Sequence, residues 1–267
     1  MKSPLRKRLP RELKSEFGKY LVVFIMMAIT IGFVSGFLVA DGSMLRAYDD
    51  SFQKYNIEDG YFQTKKKLTP AQKEDIEKSD VKVYENFYIE QKLTNGSTIR
   101  FFKNRKEVDK VCLMNGKMPK KSGEIAVDRM YADNNELKVG DTVKSRKKTF
   151  RITGLVALSD YSALFQNNND TMFDAVKFGV AIVTDKDFEA LNQVKVQYNY
   201  AWIYDKKPAT EKKEKKMAED LMEDMADVVT IESFVPQYQN QSIHFTGDDM
   251  GSDRAMIVML LYIVMAI

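Results

Sequence analysis

The sequence predicts an α+β protein held in a membrane: a membrane-anchored, extracytoplasmic mixed α/β domain between two transmembrane helices, the second incomplete. Three observations predict it. Residues 20–40 contain no charged side chain, and 17 of these 21 are apolar. Residues 255–267 are apolar throughout. Between the two stretches, strand-like alternation and capped helical segments follow one another without a regular period, and no internal repeat is visible. The average over 267 residues, 44% hydrophobic and 30% charged, is too polar for a chain of many spans and too apolar for a disordered one.

The first 19 residues hold seven basic side chains (Lys2, Arg6, Lys7, Arg8, Arg11, Lys14, Lys19) and two acids (Glu12, Glu16), a net charge of +5. Leu5, Leu9, Leu13 and Phe17 recur every fourth residue around Pro10, so residues 1–19 read as a basic amphipathic segment on the cytoplasmic face of the bilayer. As a helix, residues 20–40 rise about 1.5 Å each and roughly 30 Å in all, the thickness of the hydrocarbon core. Basic flanks stay inside, which puts residues 41–254 outside the cell. A cleaved signal peptide competes with this reading, but signal cores are only about 7–15 residues long and end at a small-x-small site. Here the stretch runs into Val39-Ala40-Asp41-Gly42. Residues 41–254 carry a net charge of −2, so the basic excess belongs to the membrane flank and nucleic acid is not an expected partner.

Met44, Tyr48, Phe52 and Tyr55 share a helical face, extending the first span as a stalk over residues 41–56 that Asn56 and Gly60 end. Residues 57–236 form the domain. A strand at 57–64 precedes a helix opened by Thr69-Pro70 and running to Lys78. A strand at 81–93 turns at Asn95-Gly96 into 97–103, the strongest hairpin signal in the chain. Next come a strand at 124–128, a short helix at 129–135, and a strand from Thr142 that pairs across 146–148 with 149–158. Residues 159–177 read as a long loop. A strand at 178–184, a short helix at 185–192 and a strand at 196–204 follow. Thr210 caps a helix through Ala226 with Met217, Leu221 and Met225 as its buried stripe, and 228–235 is the last strand. Residues 237–254 return to the membrane. Residues 255–267 begin a second span; about 17–25 residues are needed to cross, so the chain is expected to stop inside it, a buried core helix being the alternative.

Cys112 is the single cysteine, so no intrachain disulfide forms and the domain relies on its own core. There is no P-loop, and a single histidine, His244, excludes His-Glu-x-x-His zinc sites. A Ser-His-Asp triad on His244 lacks the Gly-x-Ser-x-Gly elbow. No catalytic residue, metal or cofactor is expected. The acidic stretches at 167–174 and 248–253 lack EF-hand spacing and read as polar loops. Tyr198, Tyr200, Trp202 and Tyr204 alternate along one strand, either as a stacking platform for a ligand or, preferably, as a sheet face packed under helix 210–226. Tyr161, Leu164, Phe165, Met172 and Phe173 lie in the long loop, either packed down or exposed as a contact patch. Tyr161, Leu164, Phe165, Phe173 and Trp202 are the candidate partner contacts.

Gly116-Lys-Met-Pro119, then Gly123-Glu-Ile-Ala-Val-Asp128, Ala132, Leu137-Lys-Val-Gly-Asp-Thr-Val143 and Phe150-Arg-Ile-Thr-Gly-Leu-Val156, resemble the extracytoplasmic core domain of the FtsX-like/MacB-like ABC transporter permeases. The layout of basic entry, span, α+β domain and second span is similar as well. The resemblance implies a permease subunit in the cell membrane that works with a separate cytoplasmic ABC ATPase subunit and with a second permease copy or half. It implies no ATPase activity in this chain. Long helices would carry ATP-driven motion to the outer domain and from there to an unknown extracellular partner or a lipid- or peptide-like cargo, with Met44, Tyr48, Phe52 and Tyr55 on the lever. A two-span sensor or receptor with a ligand-binding ectodomain shares this topology and is the alternative.

Overall fold

Residues 14–145 and 148–266 are described by the computed structural model. The expected amphipathic repeat of Leu5, Leu9, Pro10 and Leu13 lies outside the described residues, as do Arg146 and Lys147. Two units make up the chain, Met1–Tyr48 with Asp248–Ile267, and Asp49–Gly247.

Helix α1 (Phe17–Lys54) takes in both the expected span and the expected stalk as one element of 38 residues. Among the described residues it is the one helix long and apolar enough to cross a membrane. Phe24 and Phe33 are 69% and 73% exposed on it, a surface suited to lipid. Its end has a specific cause. Asn56 takes a positive φ of 50°, the Ile57 N–H bonds back to the Phe52 carbonyl at 2.9 Å, and the Asn56 N–H bonds to the Gln53 carbonyl at 3.3 Å. This is a Schellman stop, with Ile57 buried beneath it.

The second unit continues with β1 (Gly60–Thr64), α2 (Pro70–Glu77), β2 (Val81–Glu85), β3 (Tyr88–Lys92), β4 (Thr98–Lys103), β5 (Cys112–Gly116) and β6 (Glu124–Asp128). Then come α3 (Arg129–Asn134), β7 (Thr142–Lys144), β8 (Thr149–Ala157), β9 (Phe178–Val183), α4 (Asp185–Ala190), β10 (Val196–Tyr204), α5 (Glu211–Val228) and β11 (Ile231–Pro236). Helix α6 (Gln241–Ala266) follows, its first turns in this unit. The strands lie in the order β11-β1-β10-β3-β4-β9-β6-β8-β5, with β2 also against β10 and β7 against β8. Pairs β4/β9 and β6/β8 are parallel and the other pairs antiparallel. The α+β class is therefore realised as one mixed sheet.

Two βαβ units, β1-α2-β2 and β10-α5-β11, interleave as β11-β1-β10-β2. This is the ferredoxin-like βαββαβ arrangement, with residues 86–195 inserted between its second and third strands. The sequence hides this repeat because the halves share no motif. Capping starts both helices. Thr69 and Gln72 form a reciprocal capping box on α2, and Thr210 accepts from the Lys213 N–H on α5. Ala218, Leu221 and Met225 of α5 are buried; Leu221 and Met225, with Ile76 of α2, cover Phe62, Tyr200 and Trp202. Burial of Leu221 alone contributes about 1.5–3 kcal/mol.

The inserted lobe has its own core, including Phe101, Ile125, Tyr131, Phe150 and Ile182. Strand β9 is buried at all six positions, as expected of a central strand covered on both faces.

Strand β1 begins at Gly60 rather than at 57, and Val228 ends α5 rather than opening the last strand; three differences are larger. The strand expected over 81–93 is two strands, because the buried–exposed alternation slips phase at Asn86-Phe87 and the Asn86 N–H turns to the Asn199 carbonyl at 2.9 Å. Strand β5 was not expected, since most of its side chains are exposed and it has no alternating pattern. Helix α6 begins at Gln241, so most of the expected return segment 237–254 is helical. A second span is not shown: Asp248, Asp249, Asp253 and Arg254 interrupt α6 ahead of its apolar end.

Candidate functional site

Charge is buried at the bend between β2 and β3. Glu58, Asp109 and Asp160 are 3%, 0% and 4% exposed, and the Arg105 side chain is equally enclosed. Arg105 grips Asp160 with both prongs, Nη1 to Oδ2 at 2.5 Å and Nη2 to Oδ1 at 2.9 Å, the geometry in which a guanidinium binds a carboxylate most strongly. Asp109 accepts from the Glu58 N–H at 2.9 Å and from Asn86 Nδ2 at 3.1 Å. Three carboxyls thus meet one guanidinium. Burial, reinforced by the charges of Asp109 and Asp160, holds the Glu58 carboxyl well above the ordinary range. Burial and Asp160 raise Asp109 likewise. Each shift favours the protonated form, which reduces the excess buried charge.

Arg100 stands alongside on β4. Its Nε and Nη2 donate to Glu90 Oε1 at 3.0 and 2.6 Å, Nη1 donates to the Tyr161 hydroxyl at 2.7 Å, and Nη2 also reaches the Gln166 carbonyl at 2.7 Å. Burial opposes its charge, but Tyr161, Tyr88 and Glu90 hold its pKa above the usual arginine value.

Both helix ends in this unit are tied to the cluster. At the end of α1, the Tyr55 and Asn56 carbonyls accept from the Lys110 and Asp109 N–H groups at 2.8 and 3.0 Å. At the start of α6, Asn240 accepts from the Ser242 N–H at 3.1 Å and donates to Glu58 Oε1 at 3.4 Å. Ser162 Oγ donates to the Ser242 and Ile243 carbonyls at 2.8 Å. The rings of Phe165, Phe173 and Phe245 lie 5.4–5.6 Å apart in pairs. Arg105 comes from the segment that holds α1, and Asp160 from the loop that holds α6. Their ion pair joins the two roots.

Above the cluster lies a cavity of ≈ 390 Å³ whose wall includes Glu58, Tyr61, Tyr88, Arg100 and Phe234. Nine of its twenty wall residues are Asn or Gln, which supplies paired donors and acceptors with little net charge. Asn86 Oδ1 and Asn199 Oδ1 are buried with no hydrogen-bond partner among the described residues, whereas the Glu58 and Asp109 carboxyls share a hydrogen bond. An unmet buried acceptor costs about 1–3 kcal/mol.

Of the expected lever residues, Met44 is 58% exposed, while Tyr48, Phe52 and Tyr55 are half-buried. The Phe52 ring lies 6.5 Å from the His244 ring. Of the expected partner contacts, Leu164, Phe165 and Trp202 are interior. Phe165 is enclosed by the aromatic cluster at the root of α6, and Trp202 stacks on Phe234 at 4.7 Å beneath the helices. The side chains of Tyr198, Tyr200, Trp202 and Tyr204 therefore belong to the packed sheet face rather than to a free stacking platform. Tyr161 holds Arg100 and Phe173 is half-buried; of the five apolar loop residues singled out, Met172, at 81% exposed, is the one that faces solvent. The sequence reading missed Glu58, Arg105, Asp109 and Asp160. One signal was available for their neighbour Arg100, a charge set between Ile99 and Phe101 in the apolar middle of β4.

No family model matches the chain, and no curated protein does. Among solved structures it is similar to the extracellular domain of the noncanonic ABC-type transporter YknZ from Gram-positive bacteria, with 12% identity and a TM-score of 0.35 over 66% of this chain and 97% of that one. It is also similar to the periplasmic region of MacB from Actinobacillus actinomycetemcomitans, with 12% identity and a TM-score of 0.34 over 65% and 87%. At these TM-scores neither likeness carries any part of the reading that follows.

Proposed function

We propose that the chain is the N-terminal part of an ABC transporter permease of the FtsX-like/MacB-like kind. Its N-terminus is cytoplasmic and its α+β domain lies outside the membrane. In this reading, α1 and α6 carry movement driven by a cytoplasmic ABC ATPase subunit, and the outer domain passes it to an extracellular partner or a lipid- or peptide-like cargo. A second permease copy or half completes the assembly. ATP hydrolysis belongs to the separate subunit.

The joint root carries this reading. The last turn of α1 and the first turn of α6 are bonded to two segments that the Arg105–Asp160 pair ties together. Breaking a buried pair of this kind by removing one partner costs about 3–5 kcal/mol, so a displaced helix end moves the domain before it tears free. The lever face then comprises Met44, Tyr48, Phe52 and Tyr55. The motif over residues 116–156 supports the same reading through its resemblance.

The test is purification of the natural full-length protein from its own membranes. An ABC ATPase subunit is expected to accompany it. Its absence, together with a soluble signalling helix in place of further spans, would favour the two-span sensor instead.

A further inference from the structure

We infer that Glu58 and Asp109 form a proton-held latch between the last turn of α1 and the first turn of α6, shut while the two carboxyls share a proton and open when both ionise. The inference does not rest on coupling to an ATPase. Each residue serves one helix end. The Asp109 N–H bonds to the Asn56 carbonyl at 3.0 Å where α1 stops, and Asp109 Oδ1 accepts from the Glu58 N–H at 2.9 Å. Glu58 reaches the other end, where Asn240 Nδ2 donates to its Oε1 at 3.4 Å and Gln237 Nε2 to its carbonyl at 2.5 Å, both just ahead of α6. The two carboxyls are also hydrogen-bonded to each other. Ionised carboxylates only accept, so this bond exists only while one of the pair carries a proton.

Charge balance makes that proton decisive. Both prongs of Arg105 are committed to Asp160, and Arg100 on β4 is matched by Glu90. Fully ionised, Glu58 and Asp109 would add two negative charges at 3% and 0% exposure without a cation of their own among the described residues, and like charges repel strongly away from water. The other groups that face the pair do not neutralise it: Tyr61 from β1, Asn86 from the β2–β3 bend, Asp160 from the loop after β8, and Asn240 and Gln237 ahead of α6. Glu58 also borders the ≈ 390 Å³ cavity. Once ionised, its side chain gains hydration by turning into that space, and the turn breaks its bond to Asn240.

The sign follows from the two states. In the shut form burial and the neighbouring acids raise both carboxyls, Asp109 to about 7. In the open, hydrated form they return to the ordinary carboxylate range around pH 4. The latch is therefore fully held below about pH 4, and the open fraction grows by up to about tenfold per pH unit above it. The growth levels off once pH passes about 7, where the shut form has also lost its proton.

Hydrogen exchange of the full chain in nanodiscs tests this, read by mass spectrometry over peptides covering residues 55–58, 109–110 and 237–243 and corrected for the intrinsic rate at each pH. Opening of these peptides is expected to rise at least about tenfold from about pH 5 to about pH 8. Glu58→Gln is nearly isosteric, carries no charge at either pH and still donates to Asp109 through its amide, so its protection should be the same at both. Asp109→Asn should flatten the profile likewise, and either variant suffices if the other folds poorly. A purely structural role for the two residues would lower protection in the variants at every pH and leave its pH dependence in place. Equal protection of the unsubstituted chain at the two pH values, or a pH-dependent loss that persists undiminished in the variants, overturns the proposal.

Discussion

Asp128 ends β6 and caps α3, its Oδ1 accepting from the Met130 and Tyr131 N–H groups at 2.8 and 3.1 Å. Burial is the larger influence on its carboxyl and pushes the pKa up to about 7, against the lowering effect of those donors. A value raised in the folded state means that folding favours the protonated acid. Its stabilisation is complete below the ordinary carboxylate range, around pH 4, and is lost as pH rises through about 7. Asp128→Asn keeps an accepting oxygen and removes the charge. It is expected to melt above the unsubstituted protein at about pH 8 and to flatten the fall in Tm from about pH 5. Asp128→Ala should lose about 1 kcal/mol at the lower pH because the cap is gone. Thermal melts of the three proteins check this, and identical Tm values for Asp and Asn at the higher pH would refute it. The cap itself was not legible, because Asp128 reads equally well as the end of a strand. Gly60 was harder still. A Cβ there would stand 2.3 Å from Trp202 Cζ2, a contact between residues 142 positions apart that no local pattern announces.

Among the elements, those with chemical punctuation were legible. Thr69-Pro70 and Thr210 mark helix starts, Asn95-Gly96 marks the β3–β4 hairpin, and the uncharged run at 20–40 marks α1. Strands without an alternating face, such as β5, and the division of 81–93 were not, because tertiary hydrogen bonds decide them. Continuity of α1 between its apolar part and its root makes a further prediction. Ala47 is exposed, and proline there removes a backbone bond and clashes with the preceding turn at a cost of about 3 kcal/mol or more. On the proposed permease reading, Ala47→Pro should leave the melting of the α+β domain within a few degrees of the unsubstituted protein while abolishing ATP-driven activity in the assembled complex. Ala47→Ser should retain that activity. Full activity in the proline variant would remove the lever from the mechanism.

For the whole molecule, the α+β class and the long apolar helix were legible from composition and periodicity. The buried charge cluster was not, since Glu58, Arg105, Asp109 and Asp160 come from separate segments that only the topology assembles. Orientation has a direct check. Cys112, the single cysteine, is partly exposed, so a maleimide that cannot enter cells should label it in intact cells. Labelling only after lysis, with equal reactivity in the unfolded chain, would place the domain on the other side. The inserted lobe also sets an order of assembly. Its core draws largely on one contiguous run, so it can fold soon after that run emerges during synthesis. Strand β1 cannot. Both of its neighbours, β10 and β11, are made more than a hundred residues later, and until then it waits as a bare edge open to wrong partners. A nascent chain stalled before residue 196 should therefore be a preferred substrate for chaperones and proteases, with β1 as the segment they seize.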